Sequence, residues 1–112
     1  MKRYSAAFTE SAKKDIKESV DYIEFSLHNP SAADRLMDKI DEELENLEFN
    51  PYSCAVIDDP LLQTIGLRFC IVENYLLFYT VSEKEKTISV IRFLHGRRNW
   101  MSILRQSFTI TD

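Results

Sequence analysis

The spacing of apolar residues changes halfway along the chain, and this change constrains the fold more than any other feature. Before residue 50, apolar side chains recur at intervals of three and four, which is the period of an amphipathic helix. From residue 65 onward there are three runs rich in β-branched and aromatic residues, GLRFCIV, YLLFYTV and TISVIRFL. Such runs are typical of strands. The sequence therefore predicts helices followed by a sheet.

Two helices are predicted in the first half, after a short strand candidate at residues 4–8. Asn29-Pro30 separates them, because the residue before a proline is pushed out of the α region. Ser31 is the predicted N-cap of the second helix, with Asp34 as a weak capping-box partner, and Asn50-Pro51 ends this helix. The apolar stripes are Phe8, Ala12, Ile16, Val20, Ile23 and Leu27 in the first helix and Ala33, Leu36, Ile40, Leu44 and Leu47 in the second.

The predicted fold class is α+β. Because the loop at Asn29-Pro30 is short, the helices should form an antiparallel hairpin that packs on one face of a mostly antiparallel sheet. The element order is an N-terminal strand, two helices, three strands and a short C-terminal helix, with Asn99 as the N-cap of that last helix. At this length we expect one domain, residues 1–112.

Composition excludes several classes of protein. With 45% hydrophobic and 29% charged residues, the chain is not expected to be disordered. No apolar run approaches the ~18 residues of a membrane span, and no signal peptide is evident, so we expect a cytoplasmic protein. Cys54 and Cys70 are interpreted as reduced thiols, with a disulfide between them as the less favoured alternative. No metal-ligand set or cofactor motif is present, so we expect neither a metal nor a cofactor.

The charge of the chain is distributed unevenly. Residues 1–64 hold seven Lys/Arg against fourteen Asp/Glu, a net −7, whereas residues 65–112 hold seven against four, a net +3. Since charge separation steers association, we expect an anionic partner to meet the C-terminal half. The residues expected to bind a partner or anion are Arg68, Arg92, Arg97 and Arg98.

The predicted hairpins fix the register of the sheet. The two-residue loop EN places Arg68 opposite Tyr79, and the four-residue loop EKEK places Leu77 opposite Arg92. Alternation then predicts a core face beneath the helices and an open face on the other side. The core face carries Leu67, Phe69, Ile71, Leu76, Phe78, Ile91 and Phe93, and the open face carries Arg68, Cys70, Tyr75, Leu77, Tyr79, Val90, Arg92 and Leu94.

The open face could support chemistry on a phosphodiester. Arg68 and Arg92 could bind a phosphate and stabilise its transition state, while Tyr79 or His95, at the strand end, could move a proton. These four are the candidate catalytic residues of a metal-independent ribonuclease. A structural interpretation stays open beside this one, in which the arginines pair with carboxylates, Tyr79 packs and His95 makes a strand-end hydrogen bond.

Three segments carry a resemblance to a known family: GLR at 66–68, VENYLLFY at 72–79 and IRFLHGRRNW at 91–100. With the order of elements, they resemble the RelE/ParE toxins of type II toxin–antitoxin systems, often called plasmid stabilisation proteins. The resemblance covers nearly the whole chain. Its most specific part is the strand end R-x-L-H-G-x-R followed by Asn or Asp, which here is Arg92 to Asn99.

The resemblance implies one of two activities. ParE-like members inhibit DNA gyrase by binding, whereas RelE-like members are mRNA interferases that cut ribosome-bound messenger RNA with strand arginines and lysines plus a terminal tyrosine or histidine. This sequence is closer to the ParE-like branch, because 70–72 reads CIV where RelE-like enzymes place an arginine, and 51–64 contains no lysine. A reduced nuclease site at Arg68, Tyr79, Arg92 and His95 remains an alternative, as does a degenerate toxin that binds only its antitoxin.

The family also implies partners. We expect a cognate antitoxin that lies along the helical hairpin or the sheet and masks the basic face, in a toxin–antitoxin hetero-oligomer. The target is expected to be DNA gyrase or, in the alternative, the ribosome with its mRNA. Whether the chain is an enzyme is left open by the sequence.

Overall fold

The structure, a computed structural model, describes residues 3–108 and confirms the predicted α+β fold. The first helix ends in a π-helical turn at Tyr22–Ser26. Two short elements at 55–64 were not predicted. The elements are β1 (Ser5–Phe8), α1 (Glu10–Asp21), α2 (Pro30–Phe49), β2 (Ala55–Val56), α3 (Pro60–Thr64), β3 (Arg68–Val72), β4 (Tyr75–Ser82), β5 (Thr87–His95) and α4 (Trp100–Phe108).

The five strands form one mixed sheet in the order β1-β5-β4-β3-β2. β1 runs parallel to β5, and the other pairs are antiparallel. The predicted register of β3 on β4 is confirmed, with Arg68 opposite Tyr79. The β4–β5 hairpin also begins as predicted, with Ser82 opposite Thr87.

A β-bulge corrects the predicted register of β5. Tyr79 pairs with Val90 and the preceding Phe78 pairs with Arg92, so Ile91 is an extra residue on β5. The prediction of Arg92 opposite Leu77 is therefore wrong, and Phe93 takes that place. Beyond the bulge, Phe93 and Leu94 exchange the faces they were assigned, because one inserted residue reverses the alternation.

The helical hairpin covers the face that was predicted to be open. Cys70, Leu77, Tyr79, Val90 and Phe93 pack against α1 and α2, and α3 and α4 cover the opposite face. Strands buried on both faces read as continuous apolar runs, so alternation could not tell which face the helices choose. The residues on the α3–α4 side are Ile57, Leu62, Leu67, Phe69, Leu76, Phe78, Ile91, Leu94, Trp100, Met101, Ile103 and Leu104.

Cys54 and Cys70 form a disulfide, which corrects the expectation of reduced thiols. The physical reason is the pairing of β2 with β3, in which Ala55 lies opposite Phe69. This register brings Cys54 beside Cys70, with 5.5 Å between the Cα atoms. The pairing was invisible in the sequence because β2 is only two residues long.

The predicted N-cap of the second helix is wrong. Asn29, not Ser31, caps α2: its Oδ1 accepts a hydrogen bond from the backbone N–H of Ala32, and Pro30 occupies the first turn. α4 begins directly after Asn99, as predicted. Among the described residues, no helix has the length and apolar character needed to cross a membrane.

Candidate functional site

Arg92 is clamped to the first helix. Its Nε and Nη2 donate to the two carboxylate oxygens of Asp15 at 2.6 and 2.9 Å, and the backbone N–H of Phe93 donates to the same carboxylate at 3.0 Å. Asp15 is 7% exposed and the Arg92 side chain 18% exposed. The side-chain hydrogen bonds to Asp15 raise the pKa of Arg92 above its usual value. The guanidinium expected on an open face therefore ties α1 to β5 through a bidentate ion pair.

Arg68 and Tyr79 are neighbours, as predicted, but both are engaged with the segment at 51–54. The Tyr79 side chain is fully buried, its hydroxyl donates to the carbonyl of Pro51 at 2.8 Å, and burial raises its pKa. Arg68 donates to the carbonyl of Cys54 at 2.7 Å, and its guanidinium carbon lies 4.9 Å from the centroid of the Tyr52 ring. Both side chains thus hold the chain that leads into β2.

His95 lies at the end of β5, at the rim where it was predicted. Its imidazole meets the Tyr75 ring edge-on, with 5.2 Å between centroids, and its Nδ1 accepts a hydrogen bond from the backbone N–H of Arg97 at 3.0 Å. That bond leaves the proton of the neutral ring on Nε2. Gly96 makes the turn that follows, donating to the carbonyl of Asn74 at 2.9 Å.

The strand end also opens onto a cleft. The cleft has a volume of about 270 Å³ and lies between α1 and the ends of β4 and β5. Arg97 and Arg98 are exposed beside it. The lining is polar and aromatic, and consists of Asp15, Glu18, Ser19, Tyr22, Tyr75, Phe93, His95 and Arg98.

The four candidate catalytic residues do not converge on one surface. Arg68 lies opposite Tyr79, and His95 lies opposite Tyr75, four residues away along β4. At about 3.4 Å per residue this separates Arg68 and His95 by about 14 Å along the sheet. Arg92 is on the strand with His95 but is committed to Asp15.

An apolar groove runs between the two long helices. It has a volume of about 380 Å³, and charged side chains stand along its margins. Met37 contributes an exposed side chain to it. The groove is lined by Phe8, Lys13, Ile16, Lys17, Val20, Asp21, Met37, Ile40, Asp41 and Leu44.

Two acidic residues with structural roles escaped the sequence interpretation. Asp15 lies three residues after Ala12, on the apolar side of α1, and that position was the signal that it is buried. Asp59 is 3% exposed, caps α3 through the N–H of Leu62 and pairs with Arg105, whose hydrogen bond lowers the pKa of Asp59. Asp59 lies in a segment without periodic apolar residues, so no sequence pattern indicated that it is buried.

A tyrosine–carboxylate cluster at the β4–β5 turn was also missed. Glu83 accepts hydrogen bonds from the hydroxyls of Tyr52 and Tyr4 and from Lys86. These bonds lower the pKa of Glu83 to about 2, and the bond to Glu83 raises the pKa of Tyr52 to about 12. Because its members come from distant parts of the chain, no local pattern indicates this cluster.

The chain is similar to known toxins over most of its length. A family model described as the ParE toxin of the type II toxin–antitoxin system parDE matches residues 6–100. None of the curated proteins matches the chain.

Solved structures share the fold, including the following three. A chain of the chromosomal ParDE system from P. aeruginosa is 21% identical, with a TM-score of 0.65, and the match covers 83% of this chain and 96% of that one. A chain of the toxin–antitoxin complex RelBE2 from Mycobacterium tuberculosis is 19% identical, with a TM-score of 0.61 and coverages of 83% and 98%. A chain of the archaeal RelE–RelB complex from Pyrococcus horikoshii is 17% identical, with a TM-score of 0.51 and coverages of 86% and 98%.

Proposed function

Because this chain belongs to the ParE family and is the toxin of a type II toxin–antitoxin system, we propose that it arrests growth by binding DNA gyrase. In this proposal the whole chain, residues 1–112, is a single toxin domain that acts in the cytoplasm. It recognises its target through a basic surface at the end of β5 and catalyses no reaction.

One observation carries the choice of binding over catalysis: two of the side chains that a ribonuclease would need, Arg92 and Tyr79, are already engaged. Arg92 is held by both oxygens of Asp15, and the Tyr79 hydroxyl is buried against the carbonyl of Pro51. A catalytic acid or phosphate clamp must reach the substrate and respond to charge that develops in the transition state. Releasing Arg92 would leave a buried carboxylate uncompensated, which costs several kcal/mol.

The proposed target-binding surface, which we call the strand-end surface, consists of His95, Gly96, Arg97 and Arg98. Its two arginines are exposed, and they lie in the half of the chain with a net charge of +3. Exposed charges of one sign accelerate association with an acidic patch on a partner and fix its orientation.

The antitoxin is proposed to neutralise the toxin by placing an amphipathic helix in the groove between α1 and α2. The groove offers an apolar floor at Ile16, Val20 and Met37, and lysines at one margin can pair with acidic residues of that helix. The structures that share this fold are toxin–antitoxin complexes, which supports a partner of this kind.

The gyrase proposal is tested by expressing the toxin without its antitoxin and by adding the purified protein to a DNA supercoiling assay. We expect growth arrest and inhibited supercoiling. Arg97→Ala/Arg98→Ala should weaken both by about 10-fold or more, since two charged contacts are lost. The control Lys14→Ala/Lys84→Ala makes the same change in charge at exposed positions elsewhere and should change neither.

RNA from the cells of the same expression experiment tests the alternative, RNA cleavage. New RNA 5′ ends that appear with wild-type toxin and vanish in His95→Ala would overturn the gyrase proposal. They would instead support the second candidate, a ribosome-dependent ribonuclease. The observation that favours that candidate is the cleft of about 270 Å³ beside His95, Tyr75 and Arg98. Soluble protein with neither effect would identify a degenerate toxin.

The antitoxin groove has its own test. A candidate antitoxin, sought as a small reading frame next to the toxin gene, is co-expressed, and rescue of growth is measured. Met37→Asp, which puts a charge in the groove, should reduce rescue, whereas Leu61→Asp puts the same charge on exposed α3 and should not. Equal rescue of both variants would contradict the proposed groove.

A further inference from the structure

We infer that the reduced chain carries a site for a thiophilic divalent cation, with Zn²⁺ as the best fit, formed by Glu43, Cys54 and Cys70. One ligand atom from each of these residues lies within 4.8 Å of the other two. The site is independent of the proposed function, since none of the three residues belongs to the strand-end surface or to the helical groove.

Three separate elements build the site. Cys54 stands just before β2, and Cys70 is at the centre of β3, on the face that packs against α2. Glu43 is on α2, one residue before Leu44, which belongs to the core cluster that contains Cys70. Cys70 is buried, while Cys54 and Glu43 are half-buried.

The ligand set matches the chemistry of zinc. Two thiolates with one carboxylate provide three of the four ligands in a tetrahedral site, and soft thiolates select Zn²⁺ over Mg²⁺ or Ca²⁺. The neighbours are also suitable. Asn46 Nδ2 donates to Glu43 Oε2 at 3.3 Å, which orients the carboxylate, and Arg68 donates to the Cys54 carbonyl, which brings a positive charge near a site of net charge −1.

Metal binding requires reduction, because the two sulfurs are joined in the disulfide. A phosphine reductant breaks the S–S bond, takes its oxygen from water and leaves a proton on each sulfur, so that two thiols and one phosphine oxide form. Zn²⁺ then replaces the two thiol protons and binds both thiolates and the Glu43 carboxylate. The disulfide and the metal complex are therefore mutually exclusive states of the same pair of cysteines.

The experiment is a titration of the full chain, reduced with a phosphine, with Zn²⁺ and in parallel with Co²⁺. We expect one ion per chain, release of about two protons per Zn²⁺ at pH 7, where free thiols are protonated, and thiolate-to-cobalt charge-transfer absorption with Co²⁺. The oxidised chain is the matched control and should show none of these signals.

Two variants assign the ligands. Cys70→Ser should abolish the charge-transfer band. Glu43→Gln should weaken Zn²⁺ binding by about 10-fold or more. Glu45→Gln, an exposed position on the same helix, should bind as the wild type does.

The proposal fails if the reduced chain binds Zn²⁺ no more tightly than the oxidised chain. It also fails if Cys70→Ser keeps the band, or if Glu43→Gln binds like Glu45→Gln. Reduction could also unfold the chain, so far-UV circular dichroism is recorded during each titration as a control for the fold. A loss of signal on reduction that Zn²⁺ does not reverse would equally overturn the site.

Discussion

Replacing Arg92 with alanine should destabilise the fold by about 3 kcal/mol, because it leaves the carboxylate of Asp15 buried without a counter-charge. Breaking a buried ion pair from one side costs about 3–5 kcal/mol. We take the lower end, since the Arg92 side chain is 18% exposed and the backbone N–H of Phe93 still donates to the carboxylate in the variant. For a domain of this size the corresponding fall in Tm is about 10–20 °C.

The assay is urea denaturation at pH 7, followed by far-UV circular dichroism, on four proteins that form a double-mutant cycle. These are the wild type, Arg92→Ala, Asp15→Asn and the double variant. The single changes should each destabilise, and the double variant should be less destabilised than the sum of the two, because removing both charges leaves neither one buried alone. Arg98→Ala removes an exposed guanidinium five residues after the bonded Phe93 and should change stability by less than about 0.5 kcal/mol.

The same variants decide what a loss of toxicity means. If Arg92→Ala is inactive and unstable while Arg98→Ala is inactive and stable, Arg92 supports the fold and Arg98 contacts the target. An Arg92→Ala protein as stable as the wild type would refute the reasoning, since it would show that the pair with Asp15 contributes little. A loss of toxicity in that stable variant would then assign Arg92 to the target-binding surface.

Three further predictions concern the disulfide, the buried hydrogen bond of Tyr79 and the carboxylate of Glu83. Reduction of the Cys54–Cys70 bond, which closes a loop with a sequence separation of 16, should lower the free energy of unfolding by about 3 kcal/mol in metal-free urea denaturation; the double serine variant should show the same loss without reductant. Tyr79→Phe should cost about 1–1.5 kcal/mol, because the buried carbonyl of Pro51 loses its donor, and a midpoint equal to that of the wild type would contradict this. The folded-state pKa of Glu83 is lowered to about 2, so its contribution to stability is present above the unfolded pKa of about 4.3 and is lost as pH falls toward 2. Glu83→Gln should remove that part of the pH dependence, measured as urea midpoints from pH 6 to pH 2.

The sequence predicted the long helices, the strands β3 to β5 and one of the two hairpin registers because those features are local. A two-residue loop fixes which residues pair across it, so the pairing of Arg68 with Tyr79 could be predicted from the sequence. The bulge at Ile91 could not be predicted, because one extra residue in an apolar strand does not change the pattern of its composition. The assignment of faces failed for a related reason. Both faces of β4 are apolar, and part of the cover on the second face comes from α3, a short helix with no periodic signal in the sequence.

The candidate site differs most from the prediction because Arg68, Tyr79 and Arg92 each bond to a group outside their own strands. The fold places Asp15 against Arg92, a pairing of residues far apart in the sequence, and the carbonyls of Pro51 and Cys54 have no sequence signature. Side-chain pairing between distant segments is decided by tertiary packing. A list of strand arginines therefore overestimates the number that are free to bind a ligand.

The ion pair between Arg92 and Asp15 limits which residues are able to recognise a target. An arginine that is held in an internal ion pair, as Arg92 is, cannot distinguish one target from another, because its position does not depend on the target. If the chain binds its target as proposed, we expect the distinguishing charges to be those of Arg97 and Arg98, which follow the Gly96 turn and are exposed. Relatives that keep the clamp between Arg92 and Asp15 could thus differ in target through this turn alone. Exchanging residues 96–98 between two such toxins should exchange their targets while leaving the urea midpoints unchanged.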